Sequence, residues 1–277
     1  MNMNFGSDLA NKDVKATAGE SNFLKGDAIY DVKLKDVREE VIKGKEKDGA
    51  PGQEYHVLVM EFAEINPETG TIDENSKVYA DKTFPITEQS AKRNTFKRVV
   101  DGKETEIELP SIYETTMAKF KQYMSQLCPE YYNSLLTGKN SLSGINSWDA
   151  FKKVMITLFS KVIKSDKNPS CKLKLVKNKQ GFATIPNFVT LNREGQYYVN
   201  NNFLGNVDLL TKEKRELAFS DYEMSQIEKR KKAAKEATST TQLMGMSAPA
   251  ASNTAPIAGG SESVDQVNFD DIDLSSL

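Results

Sequence analysis

The first half of the chain has the polarity pattern of a three-stranded meander. In AIYDVKLKDVREEV (28–41), Tyr30, Val32 and Leu34 alternate with charged residues, and this period of two predicts a strand with one buried face. EYHVLVMEFAEI (54–65) is apolar on both faces for part of its length, which is typical of a central strand. KVYADKTFPI (77–86) predicts a third strand, which Pro85 should end or place at a sheet edge.

Helical periodicity follows, and then strands resume. SIYETTMAKFKQYMSQL (111–127) begins with a capping box between Ser111 and Glu114 and should end before Pro129. NSWDAFKKVMITLFSKVIK (146–164) is a second helix with an apolar stripe. The stripe consists of Trp148, Phe151, Val154, Leu158 and Val162. The later strands are CKLKLVKN (171–178), FATIPNFVTL (182–191) and, less regularly, GQYYVNNNF (195–203).

This order of elements predicts the fold class. Three strands, a helical insert and two further strands is the connectivity of the five-stranded oligonucleotide/oligosaccharide-binding (OB) barrel, which has a helix between its third and fourth strands. We therefore predict an α+β, mostly β protein with an OB-like barrel and a helical insert between strands 3 and 4. A generic α+β sandwich would give a similar order and is the alternative.

Composition divides the chain into five parts. Residues 1–22 are polar and unpatterned and predict a flexible arm, and residues 23–220 hold nearly all the large apolar side chains of the folded body. A charged helix is predicted over 221–236, opened by a capping box between Ser220 and Glu223. Residues 237–264 are rich in Ser, Thr, Ala, Gly and Pro, which predicts a disordered linker. Residues 265–277 form an acidic terminal peptide.

Overall composition excludes several classes of protein. Charged residues make up 27% and mean hydropathy is −0.54, and no apolar run reaches the length of a membrane span. Two cysteines do not indicate a disulfide framework, and the first residues lack the pattern of a secretory signal, so we expect a cytoplasmic protein with no membrane partner. The net charge of −2 combines a weakly basic body with an acidic end, because residues 237–277 contain five acids and no Lys or Arg.

The densest basic region runs from Lys152 to Lys179, with nine lysines and one acid, Asp166. Lys172 and Lys174 should share one strand face while Leu173 and Leu175 face the core, which spaces cations suitably for contacts with successive phosphates. The alternative is that the lysines only solvate an exposed strand and protect a sheet edge. The candidate phosphate contacts are Lys33, Lys35, Lys152, Lys153, Lys172, Lys174, Lys177 and Lys179.

Aromatic side chains accompany these lysines. Single-stranded nucleic acid is bound by a cationic groove together with rings on which bases stack. Most of the rings should belong to the core, but we expect two or three of nine to be exposed: Tyr30, Tyr55, Tyr79, Phe84, Phe182, Phe188, Tyr197, Tyr198 and Phe203. Tyr197 and Tyr198 are adjacent in a predicted strand and point to opposite faces, so one of them is a candidate stacking residue.

The sequence offers little for catalysis or for a cofactor. His56 is the single histidine and lies within an apolar strand, where a structural role is the simpler interpretation than a catalytic base. His56, Cys128 and Cys171 lack the close spacing of zinc ligands, and KGKEKDGAPG (43–52) lacks the ending of a phosphate-binding glycine loop. We therefore expect a protein that is not an enzyme and has no metal or cofactor.

The terminal peptide DQVNFDDIDLSSL (265–277) interleaves acids with apolar residues, which a tail serving only solubility would not need. A basic body, a low-complexity linker and an acidic tip together resemble the single-stranded DNA-binding proteins of phages and bacteria, in particular the phage T7 type. In the tail, Asp270, Asp271 and Asp273 correspond to the acidic run of that family, and Phe269 and Ile272 to its apolar anchors. The end departs from the family, because Ser275, Ser276 and Leu277 replace the closing aromatic residue.

The resemblance implies a function. It implies sequence-independent binding of single-stranded DNA in replication, recombination or repair, in the host cytoplasm if a phage encodes the protein. The partner-binding tail would consist of Phe269, Asp270, Asp271, Ile272, Asp273 and Leu277. The tail would occupy the cationic groove in the absence of DNA and would recruit replication or recombination proteins when DNA displaces it.

Two other functions remain open on the sequence. One is a structural or adaptor protein of a virion or replication complex that binds proteins rather than DNA, and the other is a strand-annealing recombination protein. The oligomeric state also remains open.

Overall fold

The computed structural model describes residues 22–44, 52–100, 103–137, 145–178, 180–186, 188–191, 197–200, 202–243 and 266–268. The predicted arm lies outside these ranges except for Asn22, and the predicted linker lies outside them beyond Leu243. The acidic tip lies outside them except for residues 266–268.

The protein is a mixed α+β structure. Its strands are β1 (Ala28–Lys43), β2 (Glu54–Glu64), β3 (Val78–Thr83), β4 (Asn94–Val100), β5 (Lys103–Leu109), β6 (Cys171–Lys177), β7 (Ala183–Thr184), β8 (Phe188–Leu191), β9 (Tyr197–Asn200), β10 (Leu204–Asn206) and β11 (Gln266–Asn268). Its helices are α1 (Ile112–Leu127), α2 (Pro129–Thr137), α3 (Trp148–Lys164), α4 (Val207–Glu213) and α5 (Asp221–Leu243), with a short 3-10 turn at Gln89–Ala91.

The main sheet is antiparallel and curls into a half-barrel. Its strand order is β10-β6-β1-β2-β3, and β7 also pairs with β6. Strand β1 pairs with β6 through Ala28–Val32 and with β2 through Val32–Lys43, so Val32 has a partner on both edges. The register with β2 shifts between Leu34 and Asp36 because Lys35 forms a β-bulge, which bends the strand and increases its twist.

The predicted meander of the first three strands is confirmed. Strand β2 lies between β1 and β3, and four consecutive residues, Val57 to Met60, are fully buried, as expected for a central strand. Strand β3 ends at Thr83, two residues before Pro85, which has no backbone N–H to donate to a neighbouring strand. The alternation predicted for β1 also holds, since Val32 and Leu34 are fully buried.

Helices α1 and α3 pack on the inner face of this sheet, whereas the start of α5 covers Lys174 on the opposite face. Both predicted capping boxes are present: Ser111 with Glu114 opens α1, and Ser220 with Glu223 opens α5. Helix α1 ends before Pro129, as predicted. The core is rich in aromatic side chains, and the largest fully buried ones are Tyr123, Phe62, Phe120, Phe159 and Phe203. Burying each of these stabilises the fold by roughly 1.5–3 kcal/mol relative to leaving it exposed.

The apolar stripe of α3 is centred differently from the prediction. Met155 and Phe159 are fully buried, whereas Trp148, Phe151, Val154 and Leu158 are only partly buried against the core. The predicted stripe started at Trp148, whereas the centre of the stripe is set by which side chains face the concave sheet. Val162, the last residue of the predicted stripe, is buried.

Several elements were missed or wrongly bounded. The β4–β5 hairpin was not predicted, although Asp101 and Gly102 at its centre are a recognised two-residue hairpin signal. Of the segment predicted as a strand over 195–203, only Tyr197–Asn200 forms a strand, β9, and β10 begins just beyond the segment at Leu204. Helix α5 extends to Leu243, seven residues beyond the predicted end.

No helix within the described ranges is both long enough and apolar enough to cross a bilayer.

Two glycines test how tightly the strands are packed at β6. A Cβ added at Gly26 would lie 2.6 Å from the carbonyl oxygen of Val176 and 2.8 Å from the amide nitrogen of Lys177, so backbone must move. A Cβ at Gly205 would meet only the side chain of Leu210, which can change rotamer. We expect Gly26→Ala to lower the free energy of unfolding by about 1–3 kcal/mol and Gly205→Ala to lower it less. Urea denaturation measures both, and equal losses would contradict this packing.

Candidate nucleic-acid interface

The face of the main sheet opposite α1 and α3 is called the outer face here, and it carries a ladder of charged side chains. Leu34, Leu58 and Phe62 point inward to the core, so the residues that alternate with them point outward. The accessible outward bases lie on three strands of the sheet, and they are Lys33, Lys35 and Arg38 on β1, Lys82 on β3 and Lys172 on β6. Between β1 and β3, strand β2 contributes the apolar Val57 and Val59 to the same face.

Most of these bases are paired with acids of the same face. Lys172 Nζ lies 2.7 Å from Asp31 Oδ1, and Lys35 Nζ lies 3.4 Å from Glu61 Oε1. Arg38 Nη1 contacts both Asp36 and Glu61, at 2.7 and 2.8 Å, and the hydrogen bond with Asp36 is the main cause of its raised pKa.

Lys82 and Lys33 complete the ladder. Lys82 Nζ pairs with Glu40 Oε1, and Lys33 Nζ donates to the carbonyl oxygen of Gly70 at 3.2 Å. Five bases face four acids (Asp31, Asp36, Glu40 and Glu61), so the outer face is nearly neutral overall.

An aromatic pair lies at the end of the outer face where β2 begins. The rings of Tyr55 and Phe84 meet edge to face with centroids 5.7 Å apart. Phe84 is 51% exposed, so part of its ring is open to solvent. Among the nine candidate rings, Tyr79 and Phe203 are buried, Tyr30 and Tyr55 are intermediate, and Phe84 and Phe182 are exposed. Tyr197 and Tyr198 lie in β9, but their side chains and that of Phe188 are outside the described part of the structure.

The predicted lysines are distributed over several surfaces. Lys33, Lys35 and Lys172 come together on the outer face. Lys153 lies on the exposed side of α3, and Lys177 is exposed at the end of β6. Lys179 is outside the described residues.

Lys174 does not occupy the exposed position that the sequence predicted. Leu173 and Leu175 face the core as expected, but Lys174 is only 4% exposed because α5 packs across this part of β6. Its ammonium group lies 2.9 Å from Glu223 Oε2 and 3.1 Å from the carbonyl oxygen of Ala218, over the ring of Phe219. Glu223 is also the acid of the α5 capping box. Its carboxylate therefore accepts a hydrogen bond from the Ser220 N–H at the helix start and also neutralises the charge of Lys174. Lys174 therefore cannot touch a phosphate in this arrangement.

Lys152 is likewise removed from the surface. Its side chain is 3% exposed and its Nζ lies 2.7 Å from Glu39 Oε1 and 3.2 Å from Asp149 Oδ1. Burial lowers the pKa of Lys152, but the hydrogen bonds with Glu39 and Asp149 outweigh it and the net shift is upward. The hydrogen bond from Lys152 is also the largest cause of the lowered pKa of Glu39, and the hydrogen bond with His56 is the second. Lys152 thus attaches α3 to β1 and is not placed to contact DNA.

Two bases of the outer face, Arg38 and Lys82, were not among the phosphate contacts predicted from the sequence. Lys82 alternates with the buried Asp81 and Thr83 in β3, so strand periodicity could have found it. Arg38 could not be assigned in this way because the bulge at Lys35 reverses which residues of β1 face outward.

The two cysteines and the described acids are candidate metal ligands by residue type. Within the described ranges, no group of three His, Cys, Asp or Glu side chains is arranged to hold a metal ion. Cys128 and Cys171 are both buried, and burial raises the pKa of each thiol to about 12. At neutral pH both are therefore protonated and unreactive.

Three residues within the acidic terminal peptide form β11. Gln266, Val267 and Asn268 pair antiparallel with Thr190, Val189 and Phe188 of β8. The predicted tail residues Phe269, Asp270, Asp271, Ile272, Asp273 and Leu277 lie outside the described part of the chain.

Comparison with protein-family models, with curated proteins and with solved structures finds no match for this chain.

Replacing Lys174 or Lys172 by methionine should lower the free energy of unfolding by different amounts, because only Lys174 is buried. Lys174→Met leaves Glu223 buried without its cation and should lower the free energy of unfolding by about 3–5 kcal/mol. Lys172→Met breaks a partly exposed pair and should cost less than about 1 kcal/mol. Replacing both Lys174 and Glu223 by Met should restore part of the loss, because no charge is then left buried. Urea denaturation of the three variants measures this, and equal effects of the two single variants would contradict the burial of Lys174.

The lowered pKa of Glu39 predicts a contribution to acid stability. A carboxyl group whose pKa is lower in the folded than in the unfolded protein stabilises the fold above its unfolded value of about 4.3, and this is lost as pH falls through the folded pKa. We expect Glu39→Gln to be less stable at neutral pH and to lose less stability on acidification from about pH 5. The matched control is Glu104→Gln, in an exposed hairpin pair. Parallel pH profiles of Glu39→Gln and wild type would contradict the prediction.

Proposed function

We propose that the protein binds single-stranded DNA without sequence preference, as part of DNA replication, recombination or repair. The observation that carries the proposal is the outer face, where Lys33, Lys35, Arg38, Lys82 and Lys172 lie on neighbouring strands beside a partly exposed ring. Cations that follow a phosphate backbone, with rings on which bases stack, are what sequence-independent binding of single strands requires.

We further propose that the curled sheet is an OB-like barrel. Three features support this assignment: the β1-β2-β3 meander, the helices placed between β3 and β6, and the sharing of β1 between β2 and β6. The last strand of such a barrel would correspond to β7 and β10, which pair antiparallel with successive parts of β6. The residues between them would then be an insertion that carries β8 and β9.

Because the outer face is nearly neutral, DNA could bind there only by exchanging ion-pair partners. Each phosphate would have to replace a carboxylate as the partner of Lys172, Lys35, Arg38 or Lys82. With about four phosphate contacts on a single strand, the logarithm of the binding constant should fall with the logarithm of salt with a slope of about −3. Affinity would be modest unless further contacts contribute.

The acidic tail fits the same proposal as a regulator of binding. Its aspartates would compete with phosphates for the same bases, and its apolar residues would recruit replication or recombination proteins. The pairing of β11 with β8 supports contact of this segment with the body. We place the protein in the cytoplasm, without a catalytic role of its own, and in a phage-infected host if a phage encodes it.

The alternative is a structural or adaptor protein that binds other proteins. The balance of charges on the outer face favours it, since a face whose cations already have partners attracts a polyanion only weakly. On this alternative the ion pairs stay intact and the tail is a short docking motif.

Fluorescence polarisation with labelled oligo-dT over a salt series tests the proposal. We expect Lys35→Ala/Lys172→Ala to weaken binding and to reduce the salt slope by about 1.4, because two phosphate contacts are lost. Deletion of residues 265–277 should strengthen binding because a competing anion is removed.

The matched control is Lys121→Ala/Lys212→Ala, which removes the same charge from exposed positions on α1 and α4. It should bind as wild type does. No measurable binding by the full chain, or binding that does not change with salt, would refute the proposal and favour the adaptor alternative.

A further inference from the structure

The turn between β6 and β7 holds a phenylalanine out in solvent. Phe182 is 71% exposed, the highest value among the large apolar side chains of the described residues. An exposed ring of this size gives up most of the free energy that burial would provide. The surrounding backbone is therefore informative about whether the ring is held in place or merely loose.

The backbone of the turn is fixed by hydrogen bonds. Asn178 N–H donates to the carbonyl oxygen of Phe182, and Gly181 N–H donates to the carbonyl oxygen of Asn178. The side chain of Asn178 accepts from Phe182 N–H at 2.9 Å. Gly181 has a φ of +84°, a conformation that favours glycine, and this allows the tight return of the chain. Three hydrogen bonds thus fix the backbone that presents the ring.

Basic residues surround the start of this turn. Lys177, at the end of β6, is exposed and packs its stem against Gly26. Lys25, next to Gly26, is exposed as well, and its backbone is held by the hydroxyl of Tyr30 at both N–H and carbonyl. Arg230 of α5 reaches the same point through Asp27.

The one acid in this cluster is already occupied. Asp27 accepts from Arg230 at 2.7 Å and from the backbone N–H of Lys177 at 3.0 Å, and its side chain is only 10% exposed. The ammonium groups of Lys25 and Lys177 have no acidic partner among the described residues. Lys177 pairs with Ala183 and Asn178 with Phe182, so by strand alternation the Lys177 stem and the Phe182 ring leave the same end of β6 on opposite faces. This end of β6 therefore has an open ring and two cations without acidic partners among the described residues, whereas the cations of the outer face are mostly paired with acids.

From this geometry we infer that the β6–β7 turn is a nucleotide contact of the proposed DNA-binding protein, with a base stacked on Phe182 and phosphates on Lys25 and Lys177. The inference rests on the proposed function and adds a site away from the outer face. Helix α5 covers Lys174, which is an outward residue of β6 between Lys172 and the turn, and the next outward residue, Val176, is buried as well. The turn is thus a separate patch, on the other side of α5 from Lys172.

A single-stranded nucleic acid fits this site better than a protein partner. The turn offers one exposed flat ring, with two lysines at the same end of β6, while the centre of a protein interface is typically depleted of charge. Stacking on a ring needs a flat partner, and every base has one, so the contact adds affinity without sequence preference.

The first test compares Phe182→Ala, Phe182→Leu and Phe182→Tyr in binding to oligo-dT. We expect Phe182→Ala to weaken binding by about 5-fold to about 150-fold, the range for loss of one stacked base. Phe182→Tyr should restore affinity because it restores a flat ring, and Phe182→Leu should not. The melting temperature should not change, since the ring is exposed. Val99→Ala, which trims another exposed apolar side chain (67%), is the control and should bind as wild type does.

An oligomer of abasic sites with the same number of phosphates separates stacking from charge. Phe182→Ala should bind the abasic oligomer as wild type does, whereas Lys25→Ala/Lys177→Ala should weaken binding to both oligomers. Phe182→Trp gives a direct readout, because the sequence contains one other tryptophan, Trp148. Addition of oligo-dT should quench its fluorescence more than that of wild type.

The outcomes distinguish the two proposals. If the wild-type chain does not bind oligo-dT, the proposed function fails and this inference fails with it. If wild type binds but Phe182→Ala binds equally well and Phe182→Trp shows no additional quenching, the inference alone is overturned. Equal rescue by Phe182→Leu and Phe182→Tyr would also overturn it, because a non-specific apolar contact would then explain the loss.

Discussion

The structure depends on one strand having two sets of partners. Strand β1 is 16 residues long, and it pairs with β6 over its first residues and with β2 over the rest. A strand that changes partner in this way cannot stay flat, and the bulge at Lys35 gives the local bend and twist that the change requires. The concave side produced by the curl is filled by aromatic residues of α1, α3 and the strands.

The same bend sorts the charged residues of β1 into two environments. Residues on the convex side that no helix covers remain accessible and pair in ladders that exchange readily with solvent, as Lys35 does with Glu61. Glu39, by contrast, faces α3 and pairs there with Lys152, which is almost fully buried. A charge taken out of water must be paired, so the buried lysines act as attachment points for helices rather than as ligands of an anion.

Sequence patterns predicted those parts of the fold that depend on neighbouring residues. The alternation in β1, the two-sided burial of β2 and both capping boxes need only local periodicity and local hydrogen bonds, and all are present. The position of Lys174 depends on where α5 packs, 49 residues later in the chain, and no local pattern contains that information. Lys172 and Lys174 occupy equivalent positions in the alternating pattern of β6, and only the packing of α5 makes one exposed and the other buried.

Helix α5 therefore determines how the basic surface is divided. Glu223 attaches its first turn to Lys174, Ile227 is buried in the next, and Arg230 reaches Asp27 at the start of β1. These contacts lie along one side of the helix, at intervals of about one turn. With α5 in this position, β6 cannot present the continuous row of lysines that its sequence suggests. The row is replaced by two patches, a charge-balanced outer face and a turn with available cations and an open ring. A ligand that engages both must pass around α5, so the position of this helix sets the geometry of any shared binding path.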